Sequence, residues 1–118
     1  MPEPGNFTPV AINAGDRARR AWLRILRRPS SVQFIRKGIA LTAQTVRIEK
    51  GSGGSLVETS KGLVTVQTIT IYGIRSHPAL ADTDMKRLDR LVVDGEEYTI
   101  ESVVLQEGEI QGFGAVKT

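Results

Sequence analysis

The chain has 118 residues, with 16 basic and 13 acidic side chains, one histidine and no cysteine. That length allows one domain; the missing cysteines exclude disulfide staples and any thiolate zinc site, and a lone histidine excludes a multi-histidine metal centre. The net charge of +3 conceals a division, because residues 1–50 carry 10 basic and 3 acidic side chains while residues 51–118 carry 6 and 10. Such asymmetry leaves oppositely charged regions for docking against a partner or against copies of the same chain.

Apolar runs are only a few residues long, far below the roughly 20 that a membrane-spanning helix needs. The opening stretch MPEPGNFTPVAINAG lacks the basic region, apolar core and cleavage site of a secretory signal, so cytoplasmic synthesis is expected. Residues 1–13, with Pro2, Pro4 and Pro9, read as an irregular arm in which Phe7, Val10 and Ile12 are possible anchors.

Residues 14–29 form an arginine-rich amphipathic unit, with a helix expected over 16–28. Asp16 is an N-cap or first-turn residue, and Pro29 stops the helix. Ala18, Trp22, Ile25 and Leu26 make the apolar stripe, widened by Ala21 and Leu23. Arg17, Arg20, Arg24, Arg27 and Arg28 occupy much of the remainder. The plain reading is a helix covering one side of a sheet, its arginines facing water or acidic neighbours. The sharper readings are phosphate contact or a subunit interface formed by Arg17, Arg20, Trp22, Arg24, Arg27 and Arg28, since the guanidinium fork suits both.

Beyond Ser31 the period becomes two, and residues 30–118 read as a single β domain. Val32–Ile35 begins a strand, Gly38 marks a turn, and residues 40–50 alternate with a slip near Thr45 that suggests a bulge. Gly51, Ser52, Gly53, Gly54 and Ser55 are loop composition, and the flexible excursion is expected to run over about 51–61. Residues 62–74, rich in β-branched side chains, read as one continuous strand. Residues 76–87 are expected to be an irregular connector with room for one helical turn. His77 reads as an exposed, non-catalytic side chain, and Asp82 and Asp84 as turn or capping residues rather than a cation site.

Asp94-Gly95 between Leu91/Val93 and Tyr98/Ile100/Val103 is the strongest hairpin signal, and Glu107-Gly108 suggests a second reversal into a closing strand over 110–117. Gly112 and Gly114 flank Phe113 on one face, where close approach by another backbone or terminal flexibility would account for them. The sum is about six short strands, one helix and no βαβ spacing. It points to a mainly β fold, a small antiparallel β-barrel or paired small sheets with an N-terminal helix and a long flexible loop.

No GxxxxGK(S/T) phosphate loop, HExxH pair or GxSxG elbow occurs, and no catalytic, metal or cofactor-binding residue is assigned. The paired carboxylates Glu96/Glu97 and Glu107/Glu109 read as solubility features of turns. An independent nucleic-acid-binding or regulatory β-barrel module stays open as an alternative. Against it, the six aromatics do not interleave with Arg and Lys, and the C-terminal part is acidic.

The segment MKRLDRLVVDGEEYTIESVV resembles the small head–tail joining proteins of tailed bacteriophages, also called head-completion, connector or stopper proteins. The matching positions are Met85, Leu88, Asp89, Arg90, Asp94-Gly95, Tyr98, Ile100 and Val103, and Leu88 stands where the pattern has glycine. ALTAQTVRIEK also looks like prophage-encoded members of the group, and the resemblance covers roughly residues 32–106. It implies a structural virion protein without catalytic residues or small-molecule substrate. The subunit would assemble as a homo-oligomeric ring, dodecameric or hexameric, at the head–tail junction after synthesis in the host bacterial cytoplasm. Its implied partners are a portal or adaptor protein, tail proteins, and packaged DNA held in the channel without sequence specificity. A tail terminator or adaptor ring on the same axis is the neighbouring alternative. Under this reading the helix arginines meet acidic residues of an adjacent subunit, drawn from Glu96, Glu97, Glu101, Glu107 and Glu109, and the 51–55 loop faces the channel.

Overall fold

The computed structural model describes residues 13–51, 55–59 and 62–116. Helix α1 (Ala14–Arg27) precedes strands β1 (Ser30–Val32), β2 (Ile35–Arg36), β3 (Ile39–Ala40), β4 (Gln44–Lys50), β5 (Ser55–Thr59), β6 (Gly62–Val66), β7 (Thr68–Ile74), β8 (Arg90–Val93), β9 (Glu96–Gln106) and β10 (Glu109–Val116). Eight strands form one antiparallel sheet in the order β1-β4-β7-β10-β9-β8-β2-β3, curled into a half-barrel, while β5 and β6 pair only with each other. The expected mainly β architecture is therefore present, as one curled sheet rather than two paired ones.

The strand count exceeds six for two physical reasons. Lys37 (φ 52°) and Gly38 (φ 80°) form a tight left-handed turn, so the first β segment folds back on itself as the short β2–β3 hairpin. The run over 62–74 is also not continuous. It breaks at Gln67, whose side-chain amide donates to the Gly51 and Thr68 carbonyls, so β6 leaves with β5 while β7 enters the main sheet. No register shift falls at Thr45, which pairs regularly with Ser31. The bulge lies in β9 instead, where Phe113 opposes Ser102 and Gly114 opposes Ile100, leaving Glu101 unpaired.

The helix begins earlier than the sequence suggests. Asn13 is its N-cap, its Oδ1 accepting the Asp16 N–H at 2.9 Å, and Asp16 sits in the first turn. Ala18, Ala21 and Ile25 are buried, Ala21 and Ile25 packing with Ile74 and the half-buried Trp22, whereas Leu23 and Leu26 are exposed. The apolar stripe is thus centred on the alanines, which let the helix approach β7, β4 and β10 closely. Leu26 belongs to the outer surface.

The other face of the sheet encloses the main core of Val32, Phe34, Val46, Ile69, Ile71, Met85, Leu91, Tyr98, Ile100 and Ile110. Each large side chain taken fully from water there contributes about 1.5–3 kcal/mol. Asp94 (φ 51°) and Gly95 (φ 82°) make the expected two-residue turn between β8 and β9, with Val93 opposite Glu96. Gly108 (φ 76°) makes the second reversal, and helix backbone crowds it: a side chain there would meet the Ala18 nitrogen at 2.5 Å. Gly112 leaves room for the Met85 side chain rather than for another backbone.

Within the segment expected as a flexible loop over 51–61, Ser55–Thr59 is strand. Gly51 is fixed at the end of β4, its N–H donating to the Thr68 carbonyl at 2.8 Å, and Ser55–Thr59 pairs with Gly62–Val66 from Ser55↔Val66 to Thr59↔Gly62. Thr and Val in both arms favour extended pairing over free loop. Ser52, Gly53 and Gly54, residues 60 and 61, most of the 1–13 arm and residues 117–118 lie outside the described residues.

Candidate functional site

The arginine helix lies on the sheet face opposite the main core, and its cations divide by the direction in which they point. Arg17 and Arg24 reach the β9–β10 end, pairing with Glu107 at 3.5 Å and Glu109 at 3.4 Å. Glu107 and Glu109 are two of the five acidic residues expected to meet the arginines of an adjacent subunit, and in this structure they meet Arg17 and Arg24 of their own chain. The reason is geometric: Gly108 admits the first helical turn so closely that the flanking carboxylates lie within reach. Arg19 pairs with Asp16 one turn away. Arg20, Arg27 and Arg28 are exposed and have no carboxylate at ion-pair distance among the described residues.

Between helix and sheet lies a cleft of about 250 Å³ lined by Ala21, Arg24, Ile25, Arg47, Glu49, Tyr72 and Glu109. Arg47 spans it, donating to the Arg24 carbonyl at 3.3 Å and pairing with Glu49 at 2.9 Å, while its Nε is buried without a partner. The Tyr72 hydroxyl donates to Glu49 at 3.3 Å. Burial first, then the nearby Glu49 carboxylate, raise the Tyr72 pKa above its ordinary value. The two arginines and two glutamates balance in charge. The cleft therefore acts as a polar clamp that holds α1 on the sheet.

A second network organises the opposite edge. Arg36 donates from Nε to Asp89 Oδ1 at 3.0 Å and from Nη2 to Asp89 Oδ2 at 2.8 Å, and Nη2 also reaches Asp84 at 2.8 Å. Asp89 is 1% exposed, and its Oδ2 also accepts the Lys86 N–H. This two-point pair joins β2 to the segment entering β8, two elements that share only the Ile35↔Arg90 backbone pairing. Hydrogen bonding to Arg36 holds the Asp84 carboxyl below its usual pKa, and the same two aspartates raise that of Arg36. Sequence reading assigned Arg36 no role. Its partners lie 48 and 53 residues away, and no local periodicity encodes that distance.

The connector at 76–87 contains no helical turn. Thr83 bonds Ile74 through both its N–H and its hydroxyl at 2.9 Å, and the Gln44 amide clamps the Asp84 backbone at 2.7 and 3.0 Å. Asp82 accepts the Ser76 N–H at 2.7 Å, the turn role expected of it. His77 is half-buried rather than exposed, with Nδ1 accepting the Ala79 and Leu80 N–H groups. Lys50 on β4 pairs with Asp94 in the β8–β9 turn, tying two distant strands of the half-barrel at its rim.

No group of three or more acidic, histidine or cysteine side chains suited to a metal ion is present among the described residues. No described helix is long and apolar enough to cross a membrane. The chain matches no family model and no curated protein.

Proposed function

We propose that this chain is a ring-forming structural subunit of a tailed-bacteriophage head–tail connector, joining the portal side to the tail and helping to retain packaged DNA. The observation that carries this reading is where the residues of the resemblance lie. Met85, Tyr98 and Ile100 are core side chains, Asp89 is the buried partner of Arg36, and Asp94-Gly95 is the left-handed hairpin turn. Leu88, which stands at the pattern's glycine, has φ of 75°. A glycine would be favoured at that backbone position, so the departure is one of residue type and not of backbone shape. The motif is therefore architectural, as expected of a virion component that builds a ring and performs no chemistry.

On this reading the protein acts at the head–tail junction with a portal or adaptor protein on one side and tail proteins on the other, and the DNA it retains is contacted without sequence preference. Stopper, adaptor and tail-terminator stations share this description. The test is removal of the gene from a phage that carries it. DNA-filled heads that leak and carry no tails, restored by the gene supplied in trans, are the expected result. Tailed, infectious particles in the absence of the protein would overturn the reading. Tight, salt-sensitive nucleic-acid binding by the free subunit would instead favour the β-barrel binding module, because phosphate neutralisation releases counterions.

A further inference from the structure

One open groove of about 750 Å³ carries a surplus of positive charge. Arg17, Arg20, Arg24 and Arg27 recur at three- and four-residue spacing and line its helix wall with the exposed Leu23. Gln106, Glu107 and Glu109 of the β9–β10 reversal line the other wall. The arginine stripe runs about 15 Å along the helix axis. Glu107 and Glu109 neutralise Arg17 and Arg24. Arg20 and Arg27 are left over, both exposed and without a carboxylate at ion-pair distance among the described residues. They stand about 10.5 Å apart along the axis, which matches about three base steps of one DNA strand. Every cation of the stripe is an arginine, whose planar fork takes two oxygens of one phosphate.

We infer that this groove takes the phosphodiester backbone of DNA, with Arg20 and Arg27 as the phosphate contacts. A second copy of the chain fits it less well, because its own acids are mostly held. Asp16, Glu49, Asp84, Asp89, Asp94 and Glu97 each pair with an arginine or lysine of the same chain, and Asp82 accepts the Ser76 N–H. Among the described residues only Glu96 and Glu101 remain, too little free negative charge for a cationic stripe of this length. The proposal rests on the ring-subunit reading, which brings packaged DNA beside the chain, and it names the surface that touches the DNA. Contact through phosphates carries no base sequence, in keeping with that reading. Two surplus charges make one copy a weak binder, whereas copies in a ring add their grooves along one duplex.

The test is fluorescence anisotropy of a labelled DNA duplex titrated with the full chain over a series of salt concentrations. The free chain should bind weakly, and equally to duplexes of unrelated sequence. The slope of log affinity against log salt should fall in magnitude by about 1.8 in Arg20→Gln/Arg27→Gln, and by about half of that in Arg20→Gln alone. Neither arginine holds the fold, so the urea midpoint should not move. Lys86→Gln/Arg87→Gln removes the same charge from exposed side chains elsewhere and should leave the slope unchanged. Equal losses in the two double variants, or no binding by the full chain at low salt, overturn the proposal. So does unchanged DNA affinity in an Arg20→Gln/Arg27→Gln protein that no longer joins heads to tails, which makes the occupant an acidic protein. The gene-removal experiment judges the connector reading separately. Leaking, tailless heads with an unaltered salt slope keep that reading and remove this groove. Nanomolar binding by one free copy, with the slope effect present, keeps the groove and removes the ring reading.

Discussion

Leu88→Gly should stabilise the protein, against the usual direction of a leucine-to-glycine change. Leu88 has φ of 75° and is held there by its N–H, which donates to the Ile100 carbonyl at 2.7 Å. An L-residue with a bulky side chain pays roughly 1–2 kcal/mol in that region, and glycine pays almost none. Two terms oppose the gain. The unfolded chain gains freedom, costing about 0.4–1 kcal/mol. The side chain also loses its apolar contacts, but it is 64% exposed, so little burial is forfeited. The net expectation is a gain of about 0.5–1 kcal/mol, or several degrees in midpoint for a domain of this size. Urea unfolding should show a higher midpoint at unchanged slope. Leu88→Ala is the control: it keeps the left-handed strain and discards the contacts, so it should not stabilise. A Leu88→Gly protein no more stable than Leu88→Ala would refute the argument and show that side-chain contacts, not backbone strain, decide this position.

Gly95→Val should lose about 1 kcal/mol or more in thermal unfolding, because a β-branched residue must adopt φ near 82° although nothing crowds the site. Arg36→Met should cost about 3–5 kcal/mol in urea unfolding, since Asp89 would be left buried without its ion partner, whereas the double change Arg36→Met/Asp89→Asn should recover part of the loss. Trp22→Ala should cost about 2 kcal/mol, less than the 3–5 typical of a fully buried large aromatic, because the indole is only half-buried against Ala21, Ile25 and Ile74. Burial raises the pKa of Tyr72 and Tyr98, and the Asp94 pair raises that of Lys50. These contributions are complete below the unfolded-state values of about 10 and are lost as pH rises through the higher folded values, so the urea midpoint should fall on the alkaline side while phenolate absorbance rises late.

Those features that were legible in the sequence are the ones encoded within a few residues. Asp94-Gly95 specifies its turn by glycine's access to positive φ, and the alternation over 96–106 and 110–116 specifies two strands and the reversal between them. The helix was visible for the same reason, although Leu26 and Ala21 exchanged importance once the sheet was in place. The alanines determine how near α1 can lie, and hydrophobicity alone cannot rank them. Within the expected loop over 51–61, strand Ser55–Thr59 had no local mark, because the glycines at 51, 53 and 54 dominate the composition beside it. Pairing with 62–66 is a relation between segments, invisible in the composition of either. Arg36 is the extreme case: an arginine next to a Lys-Gly turn has no local mark that distinguishes it from a solvated one.

The division of charge along the chain has two uses, and separating them changes what the helix arginines mean. Arg17 and Arg24 close on Glu107 and Glu109 because Gly108 brings the first turns of α1 against the β9–β10 reversal. All these partners are at least partly exposed, so each pair adds little to stability and serves chiefly to set the angle of the helix. With the angle set, Arg20, Leu23 and Arg27 lie along the same open groove as Glu107 and Glu109, and Leu26 is exposed. A helix that served only to cover the sheet would need neither exposed leucine, since Ala18, Ala21, Ile25 and Trp22 already make that contact. Removing Arg17 or Arg24 should therefore disturb how the helix sits, whereas removing Arg20 or Arg27, which have no carboxylate partner among the described residues, should leave the fold intact.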